Sequence, residues 1–471
     1  KRLIQLQTLK GIKAIEVMTG SLISMQKFQE TVSSHDGTVY DDNSKIWAYI
    51  RAYLMQSEEQ AIYVDRKGYL KEYDTYVFSN AIITKHNEVR YANTFGVVSD
   101  GENTFYLPEA SRLQQKTDIG MERSMFEYRQ GDMAFREYFG LMQDAYGIKG
   151  LVGTMYGVLS LFRNTVFRQL GFFPILYLYG NAGSGKTTYA TLLQGLWGVS
   201  QKGIPVDSTT KGLARKFSQN INALKYAKEY NEKAARNQSL IALFKNLYDG
   251  DSYSSAVKST DNKTKDYPVE QGILVDGNFL PNQEHALLTR MIILDFAKNT
   301  FDDDSGNALE RLEAEAEKGF GQIIRELFRL REAFATYLKA NFKKFYNQTK
   351  ANRGKENEVL TRLQKHIALM VTAFAFLEEH FELEYDGKVV YQELNAYIDE
   401  QNEMLNNIKP ETVFWQAMEY VINNPGYAPK ERLAHGVHYL IDSKKQAIMV
   451  KLKEVYPHYV QYCKINNIAP Q

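Results

Sequence analysis

A single cysteine, Cys463, stands among 471 residues. One thiol excludes an intrachain disulfide and any zinc site built from several cysteines, and it fits a reducing compartment. Uninterrupted apolar stretches of about 18 residues are missing, so no membrane span is expected. Neither sign of charge dominates: 57 Lys and Arg face 56 Asp and Glu, a net charge of +1. That balance excludes a generically basic tail but leaves room for local basic patches. There is no signal-peptide pattern, internal repeat or low-complexity segment, and a cytoplasmic protein is expected. The chain opens on Lys1 and lacks an initiator Met, which suggests an excised piece, a processed product or a disordered start.

What is present is a globular composition, 44% hydrophobic, in a chain long enough for two to four domains. To about residue 31, Ile12, Ile15, Met18, Leu22 and Met25 recur at helical spacing; Ile46, Ile50 and Leu54 predict a second helix over 45–57. From Ala61 the period shifts toward two, in Ala61–Val64, Tyr76–Phe78, Ala81–Ile83 and Phe95–Val98. Lys67-Gly68, His86-Asn87 and Asp100-Gly101 read as the turns between them. Residues 132–170 read as helical, closed by Gly171. The apolar run Phe172–Tyr179 then reads as a strand covered on both faces. After about residue 307 the pattern is helical and charged, with a strand pair expected at 437–441 and 447–450.

Between the buried strand and a helix carrying Tyr189, Leu192, Leu193 and Leu196 lies Gly180-Asn181-Ala182-Gly183-Ser184-Gly185-Lys186-Thr187. This is the phosphate-loop pattern of a nucleotide triphosphatase. Its glycines let successive N–H groups turn inward on a phosphate, and the helix adds its positive end. Lys186 reaches the β- and γ-phosphates of ATP, the Thr187 hydroxyl suits Mg²⁺, and Thr188 lies toward the α-phosphate.

Hydrolysis further needs a group to orient water, a polar γ-phosphate sensor and commonly a neighbour's arginine. Glu229, at the end of Ala223–Tyr230, is the candidate base, with Glu232 a second choice. The strand pattern there is poor, and Lys228 stands where a metal-side acid is usual. Asn278, ending Gly272–Asn278, is the candidate sensor, with a competing reading of Asp276 as the metal-side carboxylate. Arg290, before the apolar run Met291–Leu294, is the candidate arginine finger, against an intrasubunit salt bridge.

Between Glu229 and Asn278, two β-prone runs flank Asp261-Asn262-Lys263. They predict a hairpin bearing Lys258, Lys263 and Lys265, suited to tracking a phosphate backbone, with Tyr253 or Tyr267 placed to stack on a base. The bland alternative is a solvated hairpin with ordinary surface lysines.

Phosphate loop, acid, lysine hairpin, Asn-terminated strand and arginine, in that order, resemble the AAA+ helicases of the superfamily 3 and MCM-like group of phages and mobile elements. The resemblance is specific over about residues 172–300 and suggestive for the Arg362–Leu377 helix. It implies an α/β chain with an AAA+ P-loop core at 172–306. Around it are expected an accessory α+β domain at 1–125, a helical connector at 126–171 and a helical lid at 307–410. A possible winged-helix-like module completes the chain at 411–471. It also implies a hexameric ring that uses ATP and Mg²⁺ to move on single-stranded or forked DNA in a bacterial or phage-infected cell, with a primase or polymerase segment fused before Lys1. In those terms Lys186 and Thr187 bind phosphate and metal, Glu229 is the base, Asn278 the sensor and Arg290 the trans finger. Lys258 or Lys263 is the moving DNA contact, and Arg362 is a candidate second sensor. Lys228 departs from the family pattern. The alternatives are an ATP-gated DNA-binding initiator or loader without unwinding, and a remodeller of proteins, which would carry an aromatic pore loop instead of a lysine hairpin.

Overall fold

The computed structural model describes residues 2–8, 11–34, 44–56, 60–111, 126–198, 203–256, 264–280, 285–296, 303–351, 358–407, 410–423, 433–442 and 447–465. They form two compact units. One is Lys1–Gln130 with Trp197–Val199, and the other is Gly131–Leu196 with Ser200–Gln471.

The first unit corrects the helix expected up to residue 31. Arg2–Thr8 instead pairs antiparallel with Gly11–Val17, Ile4 opposite Ile15. Ile15 and Val17 share one face of that ribbon and are fully buried. Packed with Leu22, Phe28, Val32 and Trp47, these β-branched side chains gain more as a pleated face than as a helical stripe. The helix begins only at Met25 and runs to Ser33, and a second spans Ser44–Gln56. Lys67–Leu70, Thr75–Val77, Ala81–Ile83 and Val89–Tyr91 form an antiparallel meander. Ile62–Tyr63, Thr104–Tyr106 and Val97–Ser99 form a smaller sheet. Lys67-Gly68, expected as a turn, instead opens a strand in which Gly68 pairs with Val77, and Lys67 is buried in a 2.9 Å ion pair with Glu109.

In the second unit three helices approach the core: α1 (Phe135–Tyr146), α2 (Ile148–Leu161) and α3 (Arg163–Leu170), the last ended by Gly171 at φ 73°. The sheet comprises β1 (Ile175–Tyr179), β2 (Ile204–Pro205), β3 (Asn220–Tyr230), β6 (Glu270–Gly277) and β7 (Met291–Asp295). Helix α4 (Lys186–Gly195) follows β1, and α5 (Gln238–Asp249) follows β3. The hairpin strands β4 (Tyr253–Ala256) and β5 (Thr264–Tyr267) precede β6. All five sheet strands run parallel in the order β7-β1-β6-β3-β2. A parallel sheet needs helical crossovers that cover both faces, which is why β1 reads as an unbroken apolar run and Leu176, Tyr177 and Leu178 are fully buried. Tyr156 of α2 ties helix to sheet, its phenol lying 2.9 Å from the Pro174 and Ile273 carbonyls and accepting the Ile273 amide at 3.1 Å. From Asp303 the unit is helical, including α6 (Glu358–Phe381). It ends with helices Pro410–Asn423 and Leu452–Ile465 around the antiparallel pair Tyr439–Asp442 and Ala447–Val450.

Candidate functional site

The C-terminal edge of an open parallel sheet is where ligands gather, because the strands stop there and the loops diverge. Here β1 runs out at Tyr179 and the chain turns through Gly180, Gly183 and Gly185 at φ 154°, 78° and 87°. A residue with a Cβ is strained at such angles, so the glycines permit the loop. Gly180 donates its amide to the Gly277 carbonyl at 3.1 Å, fastening the loop to the end of β6. Gly277 has no room for a side chain: a Cβ there would stand 2.4 Å from the Tyr230 carbonyl and 2.5 Å from the Tyr177 hydroxyl. The Lys186 ammonium donates to the carbonyls of Gly180 at 2.7 Å and Asn181 at 2.6 Å, and to Ser184 Oγ at 3.2 Å. Burial lowers its pKa and the charge of Asp276 opposes that shift.

Glu229 reaches the same edge through an irregularity in β3. Ala227 pairs with Val275 but Tyr230 pairs with Gly277. Three steps along β3 therefore match two along β6, which is a β-bulge, a device that re-aims a side chain beside a site. Glu229 sits in it at φ 66°, a conformation costing a non-glycine residue on the order of 1–3 kcal/mol. Asp276 holds the bulge: its Oδ1 accepts the Glu229 amide at 2.7 Å and its Oδ2 accepts the Tyr226 hydroxyl at 2.7 Å. The Tyr226 phenol, pushed upward in pKa by burial and then by Asp276, also hydrogen-bonds Thr187. Lys228 turns to Glu229 at 3.7 Å. Glu232 pairs with Arg236.

A cavity of about 640 Å³ opens over this edge, lined by residues 182–188 of the loop with Glu229, Asn231, Asp276, Gly277 and Asn278. Its size lies within the roughly 300–1,000 Å³ of small-molecule sites. The loop, Glu229 and Asn278, each singled out in the sequence, meet here; Asp276, which held second place there, and Asn231 join them. The residues fit a nucleotide with Mg²⁺: amide-rich loop, ammonium, Thr187 hydroxyl and buried carboxylate line one space. Among the described residues no cluster of three or more His, Cys, Asp or Glu forms a metal cage of protein ligands. A cation held largely by phosphate oxygens needs no such cage.

Arg290 lies at the other edge. Its carbonyl accepts the Ile175 amide at the start of β1, five residues of strand from the loop, or about 16 Å. Its guanidinium donates to Asp249 at 3.1 Å and to the Ala286 carbonyl at 2.9 Å, over the Tyr248 ring. Arg362 of α6 donates to Thr289 Oγ1 at 3.1 Å beside it. His366, fully buried, lies 3.3 Å from the Tyr248 hydroxyl. Burial, then repulsion from Arg362 and Lys365, lowers its pKa to about 3.

Strands β4 and β5 form the expected hairpin, Tyr253 opposite Tyr267 with ring centroids 6.4 Å apart. Lys258 and Lys263 lie outside the described residues, and Lys265 is placed in β5 by its backbone. No described helix is long and apolar enough to cross a membrane.

No protein-family model and no curated protein matches this chain. Solved structures do. The whole chain aligns with 87% of the SCCmec type IV Cch protein, described as an active helicase, at a TM-score of 0.63 and 14% identity. A JCV helicase aligns with 47% of this chain over 66% of its own length, at a TM-score of 0.28 and 16% identity. The C-terminal region of NrS-1 aligns with 69% of this chain over 89% of its length, at 0.27 and 10%. Scores that low carry no argument. The first likeness speaks for the fold, and the chain folds as that helicase does.

Proposed function

We propose that the chain is an ATP-dependent DNA helicase motor of the AAA+ type, assembling as a hexameric ring and moving on single-stranded DNA. The observation that carries this reading is the convergence of the phosphate loop, Glu229 and Asn278 on one cavity at the C-terminal edge of the sheet. The strand order β7-β1-β6-β3-β2 sets the loop strand between the strand that follows Arg290 and the strand that precedes Asn278. The helicase whose fold the chain shares favours the same activity.

In this reading the loop amides and Lys186 cradle the β- and γ-phosphates of ATP. Thr187 would hold Mg²⁺, which neutralises charge on the phosphate oxygens when bound. Glu229, set by its bulge, orients the attacking water and accepts its proton. Asn278 hydrogen-bonds the γ-phosphate or that water. Arg290 stands too far from its own loop to serve it, and so acts on the nucleotide of a neighbouring subunit, as an arginine finger does. Lys258, Lys263 and Lys265 engage the DNA backbone, which calls for charge without base readout.

The test is ATP turnover with and without single-stranded DNA, together with opening of a forked duplex. Strong stimulation and strand separation are expected. DNA binding with neither would replace the motor by an ATP-gated initiator or loader.

A further inference from the structure

The strand that ordinarily ends in two acids ends here in Lys228 and Glu229, so the metal-side carboxylate is missing from β3. We infer that Asp276, on the adjacent strand β6, supplies that carboxylate. The inference rests on the ATPase reading above and adds a residue to its metal site.

Three observations carry it. Asp276 is 6% exposed and lines the phosphate-loop cavity. Parallel pairing sets it beside Leu178 of β1, two residues before the loop begins. Among the described residues no ion pair neutralises it: Lys186 influences it only through space, its hydrogen bonds going to the loop carbonyls and Ser184. A buried carboxylate without an ion-pair partner is costly even when hydrogen-bonded, which a divalent cation in the same cavity relieves.

The carboxylate is also held in position and retains capacity. Each oxygen accepts one hydrogen bond, from the Glu229 amide and from the Tyr226 hydroxyl. An ionised carboxylate offers about four acceptor sites, so roughly half remain for the metal or its water. The Tyr226 phenol bonds Asp276 and Thr187 alike, linking the two groups that would face the cation. Partners of this kind orient ligands and tune metal affinity. The same bonds explain the bulge: Asp276 fixes the backbone that presents Glu229, so one residue serves both the metal and the base.

The experiment titrates Mn²⁺ into the full chain with a non-hydrolysable ATP analogue, reading bound metal from the free-ion electron paramagnetic resonance signal. Nucleotide affinity without metal is measured in parallel. Asp276→Asn keeps the shape and the amide contact but removes the charge. It should weaken Mn²⁺ binding about 10–100-fold without a matching loss of metal-free nucleotide affinity. Adding Lys228→Asp to that variant returns an acid to β3 and should recover part of the loss. Tyr226→Phe keeps the carboxylate but frees its orientation, and should weaken Mn²⁺ severalfold, which serves even where Asp276→Asn fails to fold. Mn²⁺ affinity unchanged in Asp276→Asn, or in Tyr226→Phe if the first variant does not fold, overturns the assignment and leaves the ATPase reading standing. A wild-type chain that binds no nucleotide, with or without metal, overturns the reading itself.

Discussion

The two edges of the second unit's sheet are built from opposite materials. At the C-terminal edge glycines, a bulged glutamate and a buried carboxylate leave a cavity open. At the N-terminal edge Arg290 pairs with Asp249 over the Tyr248 ring, His366 lies against the Tyr248 hydroxyl, and Arg362 donates to Thr289. Yet both edges carry charge. The contrast teaches that the first leaves room for a ligand, whereas the second engages its cations in contacts of its own and leaves the Arg290 side chain only 14% exposed. In the proposed motor these are the two halves of one composite site, completed when subunits meet.

The largest effect should come from the open edge. Lys186→Ala removes the ammonium over the loop and is expected to abolish measurable nucleotide binding, read with a fluorescent ATP analogue. Next is the packed edge: Arg290→Ala should preserve ATP binding yet cut turnover about 10³-fold or more, in the range of other arginine fingers. Mixing that variant with the Lys186→Ala chain should restore some turnover, because each supplies what the other lacks. No restoration would make Arg290 a structural partner of Asp249 alone. Asn278→Ala should lower turnover by about 10²-fold, as loss of one transition-state donor does elsewhere, with binding retained.

Two smaller effects sharpen the contrast. Lys263→Ala should leave ATP binding intact, weaken single-stranded DNA binding and reduce its salt slope by about one. Equal loss of ATP and DNA binding would sink the hairpin assignment. The packed edge should also show itself in acid. His366 takes a proton near pH 6.5 when unfolded but only near pH 3 when folded. The unfolded state therefore binds more protons between those values, and stability falls as pH drops below about 6.5. The slope should approach at most about 1.4 kcal/mol per pH unit in urea titrations, and His366→Gln should flatten it.

What was legible in the sequence follows from how local each signal is. The phosphate loop is a contiguous pattern whose glycines answer a backbone demand, and it sits where it was read, between β1 and α4. β3 was hard to read because Lys225 and Lys228 interrupt its apolar run; in the fold Lys225 is buried and the strand extends over 11 residues. The bulge that brings Glu229 and Asp276 together depends on register between strands nearly fifty positions apart, which no local period encodes. For that reason the sequence alone offers Asp276 only as a competing metal ligand. The Arg290–Asp249 pair is equally non-local. The amino-terminal error has another cause: Ile12, Ile15, Met18, Leu22 and Met25 match a helical stripe by spacing, while Ile15 and Val17 alternate as a strand does, and packing against Trp47 and Phe28 decided the matter.

The most direct test of the account is steady-state ATP hydrolysis by the wild-type chain, with Lys186→Ala as its control and single-stranded DNA added to each. The account predicts Mg²⁺-dependent turnover that rises strongly with DNA and vanishes in the variant. Turnover that survives Lys186→Ala, or a wild-type chain that neither binds nor hydrolyses ATP, would contradict it.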